Sequence, residues 1–288
     1  MSFRDRKDGK RITNLDGMHG LIPHVMPKRC DADVYINQKF DVTNLVKYVE
    51  KKNKNASEED RITYFHAFFT ALGKLVYNRE KLNRFVMNKK FYQRKDVSIS
   101  FVAKTGFTDD AEEFFTLIKV DEKDNINTLS KKVKGNVKKI RNSKRNNADD
   151  VINFVGKLPT FLKSIIWGTI KFLDRHDLLP SSLTNDTIYY STILVSNLGS
   201  IDCDAIYHHL TDFGTNSILI TIGKIKKEVV IIDGKEQIRD IVEFGAAVDE
   251  RIGDGYYFVK SMKLLQKIFD SPELLEEDAN EKIEETNK

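Results

Sequence analysis

The chain has 288 residues, 40% of them hydrophobic, which is enough for a sizeable core in one large domain or two small ones. Its 47 basic and 43 acidic residues leave a net charge of +4, too little to argue for nucleic acid. Two cysteines far apart, Cys30 and Cys203, show no metal-ligand spacing and fit a reduced, cytoplasmic setting rather than a disulfide framework.

The first fifteen residues are polar and charged, so no leader is expected. Residues 32–42 alternate and predict a strand; 43–53 predict a helix with Thr43 as its N-cap. Residues 57–79 predict a second helix, with Ser57 and Asp60 in capping-box spacing and Ile62, Phe65, Phe69, Leu72 and Val76 as its core face. Residues 96–104 and 113–120 read as strands. The stretch 130–147 holds eight Lys/Arg and no acid, and with 160–175 it predicts two helices. Residues 187–199, 216–236 and 238–251 read as strands of a sheet. Residues 255–275 predict a closing helix with Phe258, Met262, Leu265 and Ile268 on one face. Strands and helices are interspersed without strict βαβ order, so the expected class is α/β, an α+β two-layer sandwich with a mixed sheet and flanking helices.

One stretch carries chemistry. "VDERIGDG", 248–255, ends a strand in a polar loop before a helix, and about fifty residues upstream a second strand ends in "VSNLG". With "IPHVMPKRCDADVYINQKFDVTNLVKYV" and "FHAFFTALGKLVYNREKLNRFVMNKKFYQRKDVSISFVA", this resembles the catalytic domain shared by chloramphenicol acetyltransferases and the dihydrolipoamide acyltransferase subunits of 2-oxoacid dehydrogenases. The order and spacing hold from about residue 11 to 272. In that family a histidine deprotonates the acceptor, a serine donates to the tetrahedral oxyanion, and an aspartate four residues after the histidine organises the loop.

The resemblance places the base at Glu250, the oxyanion serine at Ser196 and the organising aspartate at Asp254. Gly255, Asn197 and Gly199 match as neighbours, so the base alone is changed. An exposed glutamate is a weak base for a thiol or alcohol, and enclosure in an apolar channel strengthens it. The inert alternatives are a salt bridge to Arg251 or a decayed site. His24 matches a position near the start of the first strand, and Arg11 corresponds loosely to the arginine that pairs with the organising aspartate. His208 and His209, in "YHHLTDFG", are either substitute bases or ordinary structural histidines.

The resemblance further implies a homotrimer with its site between subunits, acyl-CoA as substrate, a small-molecule acceptor, and no metal. An amphipathic helix at about 155–180 reads as an insertion. It either packs on the domain or a neighbouring subunit, or forms a lid or peripheral membrane contact through 160–173. The basic stretch before it would meet coenzyme A phosphates or anionic lipid heads. No lipoyl domain or Pro/Ala-rich linker is read. The expectation is therefore one stand-alone catalytic domain, 1–272, with 273–288 as an acidic, flexible tail. The expected function is coenzyme-A-dependent acyl transfer with Glu250 as a non-standard base; the alternative is an inactive trimeric scaffold or an acyl- or lipid-binding protein of the same fold.

Overall fold

A computed structural model describes residues 5–104, 113–142, 156–184 and 187–284. Six α-helices and ten strands are described: β1 (Gly9–Arg11), α1 (Gly17–Val25), β2 (Asp33–Asp41), α2 (Thr43–Asn53), α3 (Tyr64–Asn78), β3 (Arg84–Met87), β4 (Lys90–Arg94), β5 (Val97–Lys104), β6 (Glu113–Val120), α4 (Ile126–Asn142), α5 (Thr160–Arg175), β7 (Ile193–Asn197), β8 (Ile218–Ile222), β9 (Lys226–Ile232), β10 (Lys235–Asp249) and α6 (Gly255–Asp270). The part of the basic stretch beyond 142 lies outside the described residues.

The main sheet has seven strands in the order β2-β10-β8-β7-β5-β6, with β9 paired to the outer half of β10. Only β5–β7 and β7–β8 are parallel; the other pairs are antiparallel. A small sheet, β1-β4-β3, stands beside it. The mixed sheet with flanking helices is therefore as the sequence implied.

Period-two alternation decides the two faces of the sheet. Phe244, Ala246 and Val248 of β10, with Ile218, Ile220 and Ile222 of β8, enter the main core, where α2, α3 and α6 pack. Ala247 and Leu219 point the other way and meet Leu210 in a separate small cluster. That second face is covered by the 203–214 segment rather than by helices. Thr221 donates its hydroxyl to the Ile206 carbonyl at 2.5 Å. A Cβ on Gly245 would stand 2.5 Å from the same oxygen, so the crossing needs glycine there.

Three boundaries differ from the sequence reading. Helix α3 begins at Tyr64, not near 57, because Thr63 is extended and caps it, accepting from the His66 backbone N–H. Ser57 and Asp60 bond each other in the turn before it. The closing helix stops at Asp270, and a 3-10 turn follows over Pro272–Glu276. The acidic segment after it is packed through residue 284 rather than free. Leu275 is fully buried, Ala279 and Ile283 join the core, and Lys74, buried in α3, donates to the Asp278 carbonyl at 2.8 Å.

Candidate functional site

The loop 249–255 is built on a buried ion pair. Arg251 donates from Nε to Asp249 Oδ1 and from Nη2 to Oδ2, each at 2.7 Å. Its backbone N–H reaches the same Oδ1 at 3.1 Å, and its Nη1 donates to the Met26 carbonyl at 2.9 Å. Both side chains are nearly solvent-free, 2% and 0% exposed. A bidentate guanidinium–carboxylate fork with its spare donor satisfied is the geometry that makes burial of two charges tolerable. Arg29, buried beside it, brings Nε within 3.9 Å of Asp249.

Glu250 lies between the two paired residues and is half-buried. Its backbone N–H donates to the Ala32 carbonyl at 3.0 Å, which fixes the turn to the start of β2. Its carboxylate has no hydrogen bond or ion pair among the described residues. The salt bridge to Arg251 that would make it inert is absent, because Arg251 is committed to Asp249. Asp254 is the N-cap of α6 and accepts from the Tyr257 N–H at 2.7 Å, which defines where the loop becomes helix. Gly255 opens that helix in free space, so no contact requires a glycine there.

Ser196 stands at the other end of the sheet. It is half-buried on β7, opposite Thr221 of β8, which in turn faces Gly245 of β10. Glu250 is five residues further along β10's path, about 16 Å at the rise of an extended chain. Two strand spacings separate them laterally as well, so one chain does not bring Ser196 to Glu250. Asn197 ends β7, and the 3-10 turn over Leu198–Ile201 follows. A Cβ on Gly199 would stand 2.7 Å from the Gly223 carbonyl, so this turn's approach to β8 requires glycine.

The remaining predicted residues fall in three places. His24 is exposed on α1, and α1 packs on the 250–252 turn. Arg11 ends β1 of the small sheet, where its N–H donates to Asp5 at 2.9 Å. The aspartate that gathers arginines is Asp249, with Arg251 and Arg29. His208 and His209 are exposed and stacked, 5.0 Å between centroids, in the segment that crosses the outer face. The next residue, Leu210, donates its N–H to Asp33 Oδ2, and Asp33 pairs with Asp249 across β2 and β10. The crossing segment thus runs from the Ser196 end of the sheet to the Glu250 end. Burial raises the Asp33 carboxyl above the usual carboxylate range.

Sequence reasoning missed Asp249 and Arg29. The signal for the first was the Asp-x-Arg spacing astride Glu250. Among the described residues no three His, Cys, Asp or Glu stand close enough to hold a metal ion.

Residues 176–276 match the family of 2-oxoacid dehydrogenase acyltransferases (catalytic domain). The chain is 23% identical over 233 residues to the lipoamide acyltransferase component of the branched-chain alpha-keto acid dehydrogenase complex of Bacillus subtilis (strain 168). That match covers 80% of this chain and 45% of the relative, so the chain spans less than half of it. A probable dihydrolipoamide acetyltransferase from Listeria monocytogenes 4b F2365 superposes with a TM-score of 0.58 at 18% identity, covering 91% of this chain and 95% of that one. A chloramphenicol acetyltransferase superposes with a TM-score of 0.55 at 10% identity, covering 91% and 99%. The resemblance read from the sequence and the fold it implied are those of these proteins.

Proposed function

Starting from a chloramphenicol-acetyltransferase-like fold whose 176–276 segment matches the 2-oxoacid dehydrogenase acyltransferases, we propose that this protein transfers an acyl group from a coenzyme A thioester to a small acceptor. Glu250 of one copy and Ser196 of a neighbouring copy complete the site. Glu250 takes the proton from the acceptor thiol, hydroxyl or amine as that group attacks the thioester carbonyl. The Ser196 hydroxyl donates to the tetrahedral oxyanion. Collapse breaks the carbon–sulfur bond, and Glu250 returns the proton to the departing thiolate, so that coenzyme A leaves as the thiol and the carboxylate is restored. Asp254 and the Asp249–Arg251 fork hold the loop.

The observation that carries this reading is the freedom of the Glu250 carboxylate on a loop otherwise locked by paired charges. The separation of Ser196 from Glu250 within one chain supports a site shared between copies. Exposed apolar side chains are available for such an interface: Val229, Ile231 and Ile238 on the β9–β10 hairpin, and Tyr256 and Val259 beside Asp254. The trimer of the family is the proposed assembly.

The test is coenzyme A release from a panel of acyl thioesters with thiol, amine and alcohol acceptors. Turnover is expected in the wild type, lost in Glu250→Gln, and reduced about 10²-fold in Ser196→Ala. Turnover that appears only in Glu250→His would overturn the reading in favour of an inactive scaffold.

A second reading rests on α5. Phe161, Ile165 and Phe172 are 64%, 62% and 57% exposed along one stripe, with Lys163 and Lys171 on the same helix. Such a stripe suits a peripheral membrane contact or an acyl-chain lid. No described helix is long and apolar enough to cross a membrane. Flotation with anionic vesicles, with and without serine at these three positions, separates this role from packing against a neighbouring copy.

A further inference from the structure

A cavity of about 230 Å³ opens between the 27–29 segment, the β3–β4 turn and the C-terminal end of α5. Its floor is Arg29 and Arg251, 3% and 2% exposed. Its rim is Lys28, Lys89 and Arg175, all exposed and without a hydrogen bond or ion pair among the described residues. The one acid in its wall is Asp212, whose carboxylate already accepts from the Arg29 backbone N–H at 2.8 Å. With Asp249 behind the floor, five cations face two carboxylates, an excess of three positive charges.

Arg29 is under-compensated. Its terminal nitrogens donate only to carbonyls, those of Thr211, Gly214 and Val86, and its buried Nε has no hydrogen-bond partner. Burial pushes its guanidinium below the ordinary arginine range. A buried cation in this position is stabilised by an anion that reaches it.

The rim is also shaped in advance. Asn88 and Lys89 have φ of 49° and 59° and form the two-residue turn between Met87 and Lys90. Glycine is the favoured second residue of such a turn, so a lysine there accepts a backbone conformation it disfavours. Arg175 is the last residue of α5, the helix absent from the expected family layout. Two elements with no part in the Glu250 loop therefore each add an unpaired cation to one cavity.

We propose that this cavity binds a phosphate group, free or as a phosphate ester. Three excess charges suit a dianion better than a carboxylate; the Arg251 fork is taken by Asp249, and the floor donor left without an acceptor is the Arg29 Nε–H. The volume lies below the roughly 300–1,000 Å³ of pockets that enclose a drug-sized ligand, so it suits a phosphate group rather than a whole cofactor. Arg251 joins this floor to the Glu250 loop, so an anion here would sit beside the candidate site. The inference stands whether or not Glu250 supports acyl transfer.

The test is calorimetric titration of the whole chain with inorganic phosphate and with pyrophosphate at constant ionic strength set by potassium chloride. Saturable binding is expected in the wild type. It should weaken at least ~10-fold in a Lys89→Gly, Arg175→Ala double variant whose unfolding midpoint is unchanged or raised. Displacement of pyrophosphate by coenzyme A would assign the anion to an ester, and no displacement would assign it to a free phosphate; both support the site. No saturable binding at millimolar anion, or equal binding by the double variant, would overturn it. The readout is binding and not turnover, so its failure is separable from failure of the acyl-transfer reading.

Discussion

Arg251 and Asp249 grip each other through two 2.7 Å bonds across the residue that separates them, and that residue is Glu250. The fork closes without using the glutamate. It also fixes the turn, since one Asp249 oxygen takes the Arg251 backbone N–H as well. The loop thus presents a carboxylate that its own neighbours do not neutralise.

Breaking the fork should be costly. Asp249→Ala leaves a buried guanidinium unpaired and is expected to lower stability by about 3–5 kcal/mol. Arg251→Lys keeps the charge but loses the planar fork, and is expected to cost a smaller share of that. Urea unfolding of the three proteins checks both values; a loss under about 1 kcal/mol for Asp249→Ala would show that the pair does not organise the loop.

His66 sets a pH dependence. Its Nδ1 accepts from the Thr63 N–H at 3.0 Å in the capping box of α3, which requires a neutral ring. Burial pushes it down to about 4 from the ordinary 6.5. Between those values the unfolded chain holds the proton and the folded chain does not. Stability is therefore fully present above pH 6.5 and falls as pH drops toward 4, by roughly 3 kcal/mol in total. His66→Gln keeps the acceptor without the titration. Its unfolding free energy should lose most of this slope, and an unchanged slope would assign the effect to other groups.

The C-terminal segment should behave as core. Leu275 is fully buried, and Leu275→Ala is expected to cost about 2–5 kcal/mol. Hydrogen exchange should show the amides of Asn280 and Ile283 protected, since they donate to the Glu122 carbonyl and the Asn78 side chain. Rapid exchange at both, with a neutral Leu275→Ala, would restore the flexible-tail expectation.

The sequence revealed most of what is periodic. Strands such as 216–222 and 241–249 show their apolar face by alternation, and the order of motifs implied the mixed sheet. What it hid depends on contacts distant along the chain. Acidic composition after 273 suggested solvent, but Leu275, Ala279 and Ile283 are spaced to reach the core and Lys74 needs an acceptor there. Ser57 and Asp60 have capping-box spacing, yet Thr63 is the residue held extended by Asn53, which bonds the backbone of Ile62 on both sides. The candidate site was legible as residue types at 196, 250 and 254. Their separation within one chain came only as what the resemblance implies, a site between subunits, because it follows from the register of β7, β8 and β10, which no local pattern specifies.

That separation makes the central claim testable by mixing. Glu250→Gln and Ser196→Ala, each inactive or nearly so alone, would be unfolded together and refolded into mixed assemblies, and thioester-dependent coenzyme A release would be measured. A site shared between copies predicts recovered activity, up to about a quarter of wild-type sites in a randomly mixed closed ring, because some sites regain Glu250 from one copy and Ser196 from the next. Activity no higher than that of the two variants added separately, in assemblies shown to be mixed, would contradict a site built from two copies.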